Sequence, residues 1–108
     1  MYSYDRRIRT ADDVGMTILQ QMGGAGRIKA MTGATFVRVT NGIGIKWPSK
    51  QPSKGNYVEV TLDPSDTYSM KFYNIGRGAK KVVKDIDGVY AEDLVRIFEG
   101  QTGYYLRF

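Results

Sequence analysis

Cysteine and histidine are both absent from this chain of 108 residues. Without a thiol there is no disulfide framework, no thiolate metal site and no sulfur nucleophile. Without imidazole, Ser-His-Asp and Cys-His arrangements and His-based metal or acid/base sites are excluded as well. Proline is scarce, at three residues, so the rest of the chain is open to regular structure. No apolar run approaches the ~18 residues that span a bilayer. Met1–Thr10 is polar and Arg-containing and lacks the apolar centre of a signal peptide. These absences predict a soluble, cytoplasmic protein of a reducing compartment. Acid, too, is missing over a long stretch. Between Asp13 and Glu59 there is none, while Arg27, Lys29, Arg38, Lys46, Lys50 and Lys54 all fall there.

What is present suits one globular domain, with 42% hydrophobic and 25% charged residues. The net charge of +5, with a pI near 9.5, favours acidic partners, nucleic acid first. A second basic cluster is Arg77, Lys80, Lys81 and Lys84. The acids gather near the start, at Asp5, Asp12 and Asp13, and again from Asp85 to Glu99.

Thr35 to Ile75 is the spine. Val37 and Val39 alternate with Arg38 and Thr40; Ile43, Ile45 and Trp47 with Gly44 and Lys46; Val58, Val60 and Leu62 with Tyr57, Glu59 and Thr61; Tyr68, Met70 and Phe72 with Ser69, Lys71 and Tyr73. A period of two with one apolar face is the pattern of a half-buried antiparallel sheet. Asn41-Gly42 predicts a type I′ hairpin turn, with positive φ at both positions. Pro48–Gly55 is a polar loop and Asp63–Asp66 a second turn. Lys81–Ile86 adds a fifth strand of unassigned register, and Asp87-Gly88 turns the chain again. Met1–Thr10 reads as a flexible arm. After it, Thr10 and Asp13 start a helix whose stripe is Val14, Ile18 and Met22, ending at Gly23-Gly24. Ala25–Met31 adds a short helical turn. Ala91–Glu99 is a C-terminal helix presenting Leu94, Val95 and Phe98. Tyr104–Phe108 alternates weakly, the pattern of a short edge strand, and has three readings: it folds back to complete the sheet and core of its own domain, lies in an interface, or pairs with a second copy. Folding back leads. The fold expected is α+β: an arm over 1–10, then one domain over 11–108. In that domain an antiparallel meander of four to five strands carries an N-terminal and a C-terminal helix on one face.

Three blocks carry a resemblance. They are Ile18–Gly24 running on to Met31–Ala34, Gly55–Leu62 with Asp66–Tyr68, and Gly88–Leu94 with Thr102–Tyr104. Together they resemble a group of small bacteriophage- and prophage-encoded proteins with no established activity. The resemblance implies a bacterial host cytoplasm and phage tasks such as handling nucleic acid or blocking a host defence protein. It carries over no site residue.

Only carboxylates remain for metal chemistry. Asp63 with Asp66, and Asp85 with Asp87, are accounted for by turn and strand-end duties. Neither Gly76-Arg77-Gly78 nor Gly23-Gly24-Ala25-Gly26 matches a phosphate-binding fingerprint. The outward sheet face is the better candidate. If the apolar positions face the helices, then Phe36, Arg38, Lys46, Tyr57, Lys71 and Tyr73 face the other way. Rings among cations bind single strands by stacking bases and holding phosphates. A wet sheet face with Glu59 paired across strands is the bland account of the same residues. The function expected is a non-enzymatic phage accessory protein that binds nucleic acid, single-stranded by preference and with weak sequence selectivity. Arg38, Lys46, Tyr57, Lys71 and Tyr73 form its platform, and Lys50, Lys54, Arg77, Lys80 and Lys81 its loop contacts. No catalytic residue, cofactor, metal or membrane partner is expected. The alternative is a protein-binding inhibitor of a host defence, in the manner of anti-CRISPR proteins, or of a replication protein.

Overall fold

Glycine sets the limits of the N-terminal helices. The computed structural model describes residues 6–49 and 51–106. Helix α1 runs Arg6–Gln21 and helix α2 Ala25–Thr32. Between them Gly23 and Gly24 take φ of 108° and 99°. Their N–H groups return to Gln20 and Leu19 carbonyls at 3.1 and 2.8 Å, a Schellman closure that glycine makes without a Cβ penalty. α1 begins earlier than expected, because Arg6–Thr10 holds neither glycine nor proline to stop a helix growing toward the N-terminus. Of the stretch read as an arm, residues 1–5 lie outside the described residues. Thr32, buried, donates to the Ile28 carbonyl at 2.6 Å and accepts from Ala34 N–H at 3.1 Å, which fixes the step from α2 into the sheet.

Five strands follow: β1 Thr35–Val39, β2 Gly42–Lys46, β3 Tyr57–Leu62, β4 Tyr68–Gly76 and β5 Ala79–Val89. They form one antiparallel sheet in the order β1-β2-β3-β4-β5. A 3₁₀ turn at Ala91–Asp93 leads into α3, Leu94–Thr102, and another, Pro52–Lys54, lies in the β2–β3 loop. α1 and α3 cover the same sheet face. Ile18, Leu19 and Met22 of α1, Leu94 and Phe98 of α3, and Ile45, Val58, Val60, Met70 and Phe72 of the sheet share one core. Trp47, just past β2, meets Phe98 and Phe72 edge-on, with centroids at 5.2 and 6.4 Å.

Three local expectations are corrected. The first hairpin does not turn at Asn41-Gly42. Val39 pairs with Gly42, so Thr40 and Asn41 form the loop, and only Asn41 has positive φ, at 58°. Phe36 then faces Ile45, and Arg38 faces Ile43. Cross-strand partners share a face, so Phe36 and Arg38 lie on the helix side, and Thr35, Val37 and Val39 on the outer side. Reading β1 by its own alternation gave the reverse. Counting through any two-residue loop, with Ile43 and Ile45 inward, gives the observed answer.

Second, Asp87-Gly88 is no turn: β5 runs through it to Val89. The fifth strand resists a single alternation because its pairing shifts between Phe72/Lys84 and Tyr73/Val82, a bulge that takes up Val83. Third, Tyr104–Leu106 forms no strand. Leu106 turns into the core at 1% exposure, and its N–H is held by Glu99 Oε2 at 2.8 Å. Residues 107–108 lie outside the described residues.

Candidate nucleic-acid interface

The outer face of the sheet is built around a glycine. Gly44, in the middle of β2, has no side chain. A Cβ there would collide with the Tyr57 ring and hydroxyl. Tyr57 therefore lies down across β2 and is only 6% exposed, although its strand register puts it on the face opposite the core. Its hydroxyl donates to Glu59 Oε2 at 2.9 Å. Tyr73 leans against it, centroids 5.8 Å apart. Lys80 reaches over from β5, its Nζ 4.4 Å from the Tyr73 ring centre, 5.5 Å from that of Tyr57 and 3.4 Å from Glu59 Oε2. Burial, and then the neighbouring Glu59 carboxylate, push the Tyr57 phenol well above its usual range. A phenolate there would lose hydration and face a like charge.

This cluster alters the expected platform. Lys46, Tyr57, Lys71 and Tyr73 do point outward, as read from the sequence. Arg38 does not, for the hairpin reason given above. Tyr57 offers no open ring for a base. Lys71 is 3.8 Å from Asp85 Oδ2, and Lys80 is matched by Glu59. Beside Lys71 a shallow recess of about 260 Å³ is lined by Glu59, Thr61, Ser69, Asp85 and Asp87. Ser69 Oγ lies 2.7 Å from Asp63 Oδ2 and 3.0 Å from Asp87 Oδ1. Among the described residues no group of three or more acid, His or Cys side chains is placed to hold a metal ion. The face as a whole is balanced in charge.

The strand register separates charge along the strands instead. β2 ends, β3 begins, β4 ends and β5 begins at one end of the sheet. That end carries Lys46, Lys54, Arg77, Lys80 and Lys81. The opposite end, where β3 turns into β4 and β5 stops, carries Asp63, Asp66 and Asp87. Lys50 belongs to the β2–β3 loop but lies outside the described residues.

Asn56 holds this basic end together. Its side-chain amide donates to the Ile75 carbonyl at 2.9 Å and accepts the Ile75 N–H at 2.8 Å, while its backbone N–H donates to the Tyr73 carbonyl at 2.8 Å. The β2–β3 loop is thereby clamped beside the β4–β5 tip. From the other side Tyr104 donates its hydroxyl to the Pro48 carbonyl at 2.8 Å, and Gln101 Nε2 reaches the Lys54 carbonyl at 3.4 Å. A Cβ on Gly103 would lie 3.6 Å from Lys54 Nζ, so the ammonium sits by the negative end of the α3 dipole. Between loop and helix lies an open recess of about 520 Å³, lined by Pro48, Ser49, Gln51, Lys54, Thr102 and Tyr104.

Sequence reasoning found the cations but missed Asn56 and Gly44. Nothing marks a clamp asparagine in advance. A strand glycine diagonal to a tyrosine is a visible cue for a ring laid flat. No helix is long and apolar enough to cross a membrane, among the described residues. Compared with known proteins, the chain matches no family model, no curated protein and no solved structure.

Proposed function

We propose that this domain is a small non-enzymatic accessory protein, of the phage-encoded kind its sequence resembles, that binds single-stranded nucleic acid through the basic end of its sheet. The observation that carries the reading is the segregation of charge: Lys46, Lys54, Arg77 and Lys81 at one end, Asp63, Asp66 and Asp87 at the other. Phosphate attracts such an end and is repelled by the other, which fixes orientation before any base is read. Tyr105, 72% exposed and one residue beyond Tyr104 of the recess, takes the place of Tyr57 as the ring open to a base. Stacking of that kind tolerates any sequence. A titration with labelled oligothymidine at two salt concentrations tests this. Affinity falls with salt at a slope of about −0.7 per phosphate neutralised, so roughly −3 for four contacts. The R77A/K81A double variant weakens binding and flattens the slope by about half of that, and K71A leaves both unchanged. Absence of binding at low salt removes the proposal.

The exposed Tyr105 ring supports a second reading, a protein-binding regulator, since tyrosine and arginine dominate interface hot spots. That reading gives a stoichiometric complex with a host protein that survives nuclease treatment and is lost in Y105A.

A further inference from the structure

The two edges of the sheet are built differently. β5 carries Lys80, Lys81, Lys84, Asp85 and Asp87 along its length and is bulged at Val83. Charges and bulges on an edge discourage pairing with another chain. β1 has neither. It is a five-residue run, Thr-Phe-Val-Arg-Val, with no lysine, proline or bulge, and its central Val37 is 47% exposed on the outer face. In the hairpin, ladder hydrogen bonds alternate from the turn outward through Val39/Gly42, Val37/Gly44 and Thr35/Lys46. The backbone groups of Phe36 and Arg38 therefore point away from β2, toward the open edge.

We propose that β1 pairs antiparallel with β1 of a second copy, on a two-fold axis through Val37. Three features of the strand select this arrangement. With Val37 against its own copy, Phe36 stands opposite Arg38, and these are the residues whose N–H and C=O groups face outward. Each such pair exchanges two hydrogen bonds. On the outer face Thr35, Val37 and Val39 meet Val39, Val37 and Thr35, an unbroken stripe of β-branched side chains. On the helix side the guanidinium of Arg38 comes across from the Phe36 ring rather than from its own charge. A register centred on Arg38 opposes like charges. One centred on Phe36 runs off the strand onto Ala34, which is wholly buried. The pairing joins two sheets of five into one of ten. Because the strands run opposite ways, the two basic ends point in opposite directions.

A contact of this size belongs with weak, transient interfaces. Each copy carries +5, so added salt strengthens self-association by screening repulsion. Oligonucleotide binding has the opposite salt response, which keeps the two proposals separable. The test uses the lack of native cysteine. V37C places one thiol on the axis, at a non-hydrogen-bonded pair whose Cβ separation suits a disulfide. V82C places one on β5 at equal exposure, 48%. Under mild oxidation V37C forms covalent dimer at least roughly tenfold faster than V82C, through the effective concentration in the pre-formed pair. Sedimentation equilibrium of the unaltered chain shows a monomer–dimer equilibrium that V37K abolishes without moving the thermal midpoint. Equal crosslinking of the two cysteine variants, a native chain that stays monomeric, or self-association unaffected by V37K overturns the proposal.

Discussion

Tyr57 keeps its proton under conditions where an exposed tyrosine would lose it. Its hydroxyl is desolvated and donates to Glu59 Oε2 at 2.9 Å, so its pKa lies above the ordinary value. In the unfolded chain the same phenol ionises near pH 10. The protonated, hydrogen-bonded form therefore contributes its full stability below about pH 10, and that contribution is lost as pH rises from there toward the folded pKa. Y57F retains the ring over Gly44 but has no proton to lose. At neutral pH it should cost about 0.5–1.5 kcal/mol, the net worth of one hydrogen bond, and its urea midpoint should fall less between about pH 9 and 11 than that of the unaltered chain. Parallel pH profiles would contradict this account. The cluster was only partly legible beforehand. Alternation with Val58 and Phe72 puts Tyr57 and Tyr73 on the outward face, and they are there. Alternation assigns a face but not an exposure, and a tyrosine laid over glycine on that face is buried all the same.

Among the elements, the C-terminal segment shows how an end of the chain completes a core. α3 stops at Gly103, whose φ of 83° suits glycine. Three residues later Leu106 is in the core, held through its N–H by Glu99. L106A should lower stability by about 2–5 kcal/mol, the range for emptying a buried leucine site, whereas Y105A, at an exposed position, should stay within about 0.5 kcal/mol. Thermal or urea unfolding of the two variants checks this. A neutral L106A would mean that the segment is not part of the core. The hairpin of β1 and β2 gives the complementary lesson. Asn41 in the loop was legible, because asparagine tolerates positive φ. Alternation of Val37 and Val39 with Arg38 and Thr40 puts the wrong face of β1 inward, because an edge strand does not enforce apolar-inward patterning at every position.

For the whole molecule, what matters is the direction of its charge. Nucleic acid should approach along the strands, from the end formed by Pro48–Gly55 and Gly76–Gly78, and not from above the sheet. Backbone amide NMR shifts on addition of oligothymidine should therefore change at Ser49, Lys54, Gly78 and Ala79, and stay fixed at Asn41, Thr67 and Gly88 at the opposite end. Perturbations centred on Lys71 and Ser69 would restore the flat-face mode of binding. Asn56 fits the same scheme as a positioning residue. N56A removes the two side-chain bonds that tie the loop to Ile75 of β4, leaving only the backbone bond to Tyr73, and should reduce oligonucleotide affinity while leaving the β4–β5 tip folded.

The sequence alone determined the α+β class, the meander order of the strands, the N-terminal and C-terminal helices and the pool of cations, because periodicity, turn residues and composition are local properties. Only the tertiary structure decided which cations share an end, that Glu59 and Asp85 neutralise Lys80 and Lys71, and that Arg38 belongs to the helix side. Those depend on register and on contacts between residues far apart in the chain, and a shift of one position along a strand exchanges its two faces.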